Sequence, residues 1–249
     1  MALSDYRTAL VTGASSGIGR ALAAALAGRG LEVHAVARRA DRLMALADDH
    51  GCHAHALDIT DTGALEALCR GREIDVLING AGMAAGYGAL HENEARAVDA
   101  VLDVNLRAVL HLLRLVVPGM VARDRGHVVN IGSINGLYAI GDTPVYGAAK
   151  AAVHMIGGLL RIDLAGRHVR VTEICPGRVE TGFHIQSMGD EAAARKKFYD
   201  GRRVLDPEDV AATVLFALEA PAHVNVGLIE LTPLGQVPGG VAFPEEPAP

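Results

Sequence analysis

Thr12-Gly13-Ala14-Ser15-Ser16-Gly17-Ile18-Gly19 follows the first apolar run of the chain, Arg7–Thr12, and opens an alanine-rich stretch, Gly17–Ala27. A glycine turn between a buried strand and a helix gathers backbone amides and a helix N-terminus at one point, where a pyrophosphate can sit. The spacing is G-x-x-x-G-x-G rather than the G-x-G-x-x-G of the general dinucleotide fingerprint. A glycine-rich turn alone says little. Set between the first strand and the first helix, it predicts a dinucleotide-binding α/β domain.

The rest of the chain keeps this alternation. Leu31–Ala37, Cys52–Leu57, Ile74–Asn79, His127–Ile131, His168–Ile174 and Val226–Leu231 are continuous apolar runs, as expected of strands covered by helices on both faces. Helical stretches lie between them: Asp41–Asp49, Thr62–Cys69, Ala95–Val121, Pro144–Ala165 and Pro207–Glu219. Gly28 and Gly30 can end the first helix, and Asp206-Pro207 supplies an N-cap with proline at the first helical position. The expected fold is a single doubly wound α/β domain, a seven-stranded parallel sheet of order 3-2-1-4-5-6-7 with right-handed crossovers. Ligands in such sheets sit beyond the carboxyl ends of the strands. Residues 1–235 are expected to form the dinucleotide-binding and catalytic domain, and 236–249 an irregular arm within a stretch that holds five prolines and three glycines from Pro233 onward.

Composition excludes other classes. The chain has 249 residues and a net charge of −6, with no long basic block, which argues against a nucleic-acid partner. No apolar run reaches the roughly 18–20 residues of a membrane span, and the longest candidate, Val109–Val121, is broken by His111, Arg114 and Pro118. The N-terminus lacks the basic start and apolar core of a signal peptide. Cys52, Cys69 and Cys175 are too few and scattered for a disulfide framework or a zinc site, so a reducing, cytoplasmic setting is expected. Asp48-Asp49-His50-Gly51-Cys52-His53-Ala54-His55 looks metal-rich, but nothing elsewhere completes a site, and it reads as a solvated edge without metal.

Cofactor choice is read at the end of the second strand, Val36-Ala37-Arg38-Arg39. A carboxylate there would bind the ribose 2′-OH of NAD; two guanidiniums suit the 2′-phosphate of NADP. NADP(H) is therefore expected, with NAD the weaker alternative, unless Arg38 and Arg39 only begin a solvated helix. Asp58-Ile59, after the third strand, is placed to border the adenine, and Asn79-Gly80-Ala81-Gly82, after the fourth, to approach its ribose. Further on, Tyr146-Gly147-Ala148-Ala149-Lys150 sets a phenol and an ammonium four residues apart on one helix face. Such a cation favours the phenolate, moving a pKa of about 10 toward neutrality.

Thr12–Gly19, Asn79–Gly82, Asn105, Ser133, Tyr146-x-x-x-Lys150 and Pro176-Gly177 resemble the ordered motifs of the short-chain dehydrogenase/reductases, over about residues 6–235. Within that family, which shares the Rossmann fold, the chain is similar to the NADP-dependent 3-hydroxy acid dehydrogenases, including serine 3-dehydrogenases. Gly126–Ser133, Val169–Thr172 and Ala220–Asn225 carry that closer likeness. Two positions depart: Gly80 stands where the family usually has a second asparagine, and Ser16 where many NADP-preferring members carry a basic residue.

The resemblance implies the roles. Tyr146 would be the general acid or base. Lys150 would lower its pKa and bond the nicotinamide ribose; Ser133 would hydrogen-bond the carbonyl oxygen. Asn105 would hold a water that continues a proton relay from Lys150. Val179 and Thr181, in Pro176-Gly177-Arg178-Val179-Glu180-Thr181, would lie near the carboxamide. A homo-oligomer, dimer or tetramer, built partly on the two longest helices is implied too. From the residues themselves, Gly182–Arg203 reads as a substrate lid (about 182–203), Arg178 as either a clamp for a substrate anion or a surface arginine, and Asn135 and Tyr138 as pocket lining. The expected activity is hydride exchange between NADP(H) and a small polar substrate such as a 3-hydroxy acid or aldehyde. The alternatives are a reductase of bulkier ketones or 3-oxoacyl thioesters, and a non-catalytic nucleotide-binding scaffold.

Overall fold

A computed structural model of the chain describes residues 3–243. Its sheet has the expected order, β3-β2-β1-β4-β5-β6-β7, and every pairing is parallel. The strands are β1 (Thr8–Thr12), β2 (Glu32–Ala37), β3 (His53–Ala56), β4 (Val76–Asn79), β5 (Gly126–Ile131), β6 (Val169–Pro176) and β7 (Leu228–Leu231). The central strands β1, β4, β5 and β6 are almost wholly buried. β3 and β7, expected to be buried, are partly exposed instead. Each has a neighbour on one side only, so part of its surface faces water.

Helices cover both faces. α1 (Gly17–Ala27), α2 (Ala40–His50) and α10 (Pro207–Glu219) pack Leu22, Leu26, Leu43, Leu46, Val210, Val214 and Leu218 against one side of the sheet. α3 (Thr62–Cys69), α5 (Ala108–Ala122) and α7 (Pro144–Asp163) bring Leu65, Leu68, Leu112, Met120 and Val153 to the other. The N-terminus of α10 is closed by a capping box between Asp206 and Asp209, with Pro207 in the first turn. The long helix expected over Ala95–Val121 is divided: α4 (Ala95–Leu102) passes through one π-helical turn, Asp103–Arg107, into α5. That turn carries Asn105, fully buried. Shorter helices α6 (Ile134–Leu137), α8 (Phe183–Met188) and α9 (Glu191–Phe198) flank the carboxyl ends of β5 and β6.

Of the arm expected over 236–249, the first part folds back onto the domain. Gln236 is buried, accepts a hydrogen bond from the Arg178 amide and donates one to Gly240 O. Residues 244–249 lie outside the described residues. Among those described, no helix is long and apolar enough to cross a membrane.

The turn after β1 is packed to the limit. Gly13 has φ +74°, and a Cβ there would stand 2.9 Å from Ala81 Cα; a Cβ on Gly19 would overlap the carbonyl of Gly13. Backbone, unlike a flexible side chain, cannot move aside, so Gly19→Ala is expected to destabilise the fold by about 1–3 kcal/mol. Urea denaturation measures it, and an unchanged midpoint would show that the turn has slack.

Candidate active site

A cavity of about 630 Å³ opens at the carboxyl ends of β1, β4, β5 and β6, where a parallel α/β sheet binds ligands. Most residues singled out in the sequence meet on its wall. Gly13, Ser15, Ser16, Gly17, Ile18 and Gly19 come from the first turn, Arg38 and Arg39 from the end of β2, and Asp58 and Ile59 from beyond β3. Gly80, Ala81 and Gly82 follow β4; Ser133, Asn135, Tyr146 and Lys150 follow β5; Pro176, Gly177, Arg178, Val179 and Thr181 belong to the end of β6 and the segment after it.

Three residues are placed elsewhere. Asn79 does not reach the wall: it ends β4 inside the sheet and donates to Asn130 Oδ1 at 2.8 Å. Tyr138 is turned away, its hydroxyl donating to Glu230 on β7 at 2.8 Å. Asn105 lies behind Gly82, where a Cβ would stand 3.1 Å from Asn105 Oδ1 and 3.8 Å from Lys150 Nζ. Its amide donates to Met83 O and Val101 O, and its Oδ1 accepts from the Met83 amide. Those bonds use both amide hydrogens and one of the two lone pairs of Oδ1.

At the dinucleotide end, Arg39 reaches across the cleft. Its Nη2 donates to Ser15 Oγ at 2.8 Å and Ser16 Oγ at 2.6 Å. Ser16 is thus accompanied by a guanidinium from β2, which restores a cation where the sequence offers only a hydroxyl. Arg38 is mostly exposed, 3.9 Å from Asp58. Asp58 accepts from the Thr60 amide and hydroxyl, which together with Arg38 hold its carboxyl below the ordinary range. Two hydroxyls, two guanidiniums and the turn amides make a donor-rich set suited to phosphate oxygens.

At the other end, α7 carries Tyr146 and Lys150 one turn apart. Lys150 is buried, its Nζ donating to Ile131 O at 2.7 Å and standing 5.7 Å from the Tyr146 ring centroid. Ser133 caps α6, its Oγ accepting from the Asn135 amide at 3.1 Å and hydrogen-bonding the Tyr146 hydroxyl. The phenol is not drawn toward neutrality as the spacing suggested. Burial pushes it up to about 12, with the Ser133 hydrogen bond pulling the other way, and burial pulls Lys150 down to about 8, opposed by Cys175 and Glu173. Desolvation penalises both charged forms here and is the largest cause for each.

Residues 182–203, expected to form a lid, carry two helices. α8 and α9 share a small apolar core of Ala194, Phe198, Tyr199 and Val204, with Tyr87 and Phe243 against it. Phe183 packs on Tyr146, ring centroids 5.4 Å apart, and His184 stacks on Phe198 at 3.9 Å with its Nδ1 3.2 Å from the Tyr87 hydroxyl. Tyr87, Phe183, His184 and Phe198 line the cavity and were not singled out in the sequence. The signal was there: of only 4 phenylalanines and 5 tyrosines, two phenylalanines and one tyrosine fall between 182 and 203. Arg178 lies with its guanidinium 4.7 Å from the centre of the Phe198 ring, and its Nε and Nη1 are buried without a hydrogen-bond partner.

The fold and its cleft are those of a dehydrogenase: residues 7–192 match the short chain dehydrogenase family, and the chain belongs to it. It is 42% identical over 238 residues to an uncharacterised short-chain type dehydrogenase/reductase of Sinorhizobium fredii, covering 96% of each chain. With the NADP-dependent 3-hydroxy acid dehydrogenase YdfG of Salmonella typhi it shares 38% identity over 242 residues, 94% of this chain and 97% of that one. Among solved structures it is similar to the closed form of a serine dehydrogenase complexed with NADP+, with a TM-score of 0.90, 35% identity and coverage of 96% of this chain and 100% of that one.

Burial of Tyr146 has a direct readout. A raised phenol stays protonated until well above its ordinary value, so wild type minus Tyr146→Phe should show no tyrosinate absorbance from this residue below about pH 11. Ionisation near neutrality would show that Lys150 prevails over burial in the free enzyme.

Proposed function

We propose that the protein is an NADP-dependent oxidoreductase that interconverts the alcohol and carbonyl of a small anionic hydroxy acid or aldehyde, with Tyr146 as general acid and base. The observation that carries the substrate class is Arg178. A guanidinium with two buried, unpartnered donors on the wall shared with Tyr146 and Ser133 is costly unless an anion completes it. A carboxylate or sulfonate would do so bidentately. The names of the similar 3-hydroxy acid and serine dehydrogenases support the same class.

NADP is the cofactor, in keeping with the names of those relatives and with the donors at the end of β2. Ser15, Ser16 and the turn amides would hold its phosphates, and Arg38 and Arg39 the 2′-phosphate. Bound there, it supplies and accepts the hydride. The chain's own residues manage position and protons. Ser133 would hydrogen-bond the substrate oxygen and stabilise charge developing on it. In reduction the O–H bond of Tyr146 breaks as the alkoxide oxygen takes the proton; in oxidation the proton returns. Lys150, held by Ile131 O, would stabilise the phenolate left behind. Phe183 and His184 would cover Tyr146 and keep bulk water off the reacting oxygen.

Exposed Met155, Leu159 and Ile162 along α7, with Leu110 on α5, support a homo-oligomer formed through these helices. The unpaired state of Cys52, Cys69 and Cys175 suits a reducing compartment.

Two experiments test this reading. With NADPH oxidation followed against a panel of carbonyls, Arg178→Ala should raise KM for carboxylates and sulfonates by roughly tenfold or more while leaving neutral analogues of equal size little changed. Tyr146→Phe, run alongside, should abolish turnover of both; full activity in that variant sinks the mechanism. Separately, Arg39→Ala should weaken NADPH by about 1–2 kcal/mol more than NADH, by fluorescence titration; equal losses would remove the 2′-phosphate assignment.

A further inference from the structure

Beside Lys150 lies a second group of ionisable side chains, none of which lines that cavity and none of which the reaction above employs. Glu173, on β6, is 4% exposed. Its Oε2 accepts from His154 Nδ1 at 2.7 Å, while its Oε1 is buried without a hydrogen-bond partner. Oε1 occupies the space where Gly132 would carry a Cβ, and Cys175 Sγ would stand 2.9 Å from that same position. Gly132 sits between Ile131, whose carbonyl holds Lys150, and Ser133, which bonds Tyr146. The end of β5 therefore touches the lysine, the carboxylate and the phenol at three successive residues. On α7, Tyr146, Lys150 and His154 follow at four-residue intervals and share one face.

A carboxylate inside a sheet is costly without compensating charge, and a glutamine would fill the same volume. What the carboxylate adds is negative charge over Gly132, one residue from the carbonyl that holds the buried ammonium. The groups facing Lys150 are Tyr146 on its own helix and Cys175 and Glu173 on β6. Those facing Glu173 are Lys150, Cys175 and His154, with Arg161 on the wall of a small cavity of about 120 Å³ that Glu173 and His154 also line. Cys175 and Glu173 both oppose the burial that draws Lys150 down to about 8, and of the two Glu173 is the carboxylate.

We propose that Glu173 is a positioning residue of the dehydrogenase reaction: seated over Gly132 and tied to His154, its carboxylate is the countercharge that keeps Lys150 an ammonium beside Tyr146. The proposal rests on Tyr146 and Lys150 being the reacting pair. It gives His154, half-exposed on α7, a function through Glu173 rather than through substrate.

The chain has only three lysines, Lys150, Lys196 and Lys197, so the Lys150 titration can be followed directly by NMR of ¹³C- and ¹⁵N-labelled lysine in the free enzyme. In Glu173→Gln the Lys150 titration should move to lower pH, a roughly tenfold loss of its proton affinity. The sign follows from the base: a lower pKa means the ammonium is lost at lower pH, so the alkaline fall in kcat should move the same way while KM stays near its wild-type value. His154→Ala, at a partly exposed helix position, removes the hydrogen bond that seats the Glu173 carboxylate over Gly132, so Lys150 should again move down. A folded Glu173→Gln whose Lys150 titrates as in wild type overturns the proposal, as does a kcat lowered equally at every pH. If Glu173→Gln does not fold, an unmoved Lys150 in His154→Ala overturns it. Loss of the reaction mechanism itself would show differently, as activity surviving in Tyr146→Phe.

Discussion

One hydrogen bond fixes the geometry on which the rest depends: Lys150 Nζ donating to Ile131 O at 2.7 Å. It joins α7 to the carboxyl end of β5 and sets the rotation of the helix about its own axis. Tyr146, one turn earlier, is thereby brought to Ser133, the cap of the next short helix. A buried ammonium needs acceptors, and a strand-end carbonyl is one that the sheet leaves free. The requirement of one buried charge thus orders three groups from two elements.

Burial sets the character of the pair as well. In open water a lysine beside a tyrosine would favour the phenolate; out of water both charged forms are penalised, and the phenol rises while the ammonium falls. Guanidinium charge stands at the two ends of the cleft, with the Lys150 ammonium between them. Arg39 stands on the serines of the first turn, and Arg178 against Phe198 of α9. Between them the wall is built of glycines, Ser133 and the phenol. A ligand with anions at both ends and a reacting centre in the middle fits that distribution.

Much of this was legible in the chain. Glycines at 13, 17 and 19 after the first strand announced the first turn, and the alternation of elements announced the parallel sheet found. The motifs at Asn79–Gly82, Ser133, Tyr146–Lys150 and Pro176–Gly177 pointed to the cleft, and all but Asn79 reach its wall. Asn79 failed because the last residue of a strand can point into the sheet as readily as out of it, and a dipeptide pattern does not say which. Tyr138 failed for a similar reason: α6 ends just before it, and its hydroxyl finds Glu230 on the edge strand β7. The π-helical turn at Asp103–Arg107 left no mark in a continuous helical pattern.

Sequence alone determined the fold class, the parallel sheet and most of the residues that meet in the cleft, because strand–helix periodicity and glycine turns are local properties of the chain. Tertiary structure decided the rest. Arg39 lies 23 residues from Ser16 in sequence and donates to its hydroxyl; Glu173 lies 19 residues from His154 and accepts from it; Arg178 meets Phe198 only because α9 folds back over β6. The protonation of Tyr146 and Lys150 belongs to the same class, since desolvation is a property of what surrounds a group and not of its neighbours along the chain.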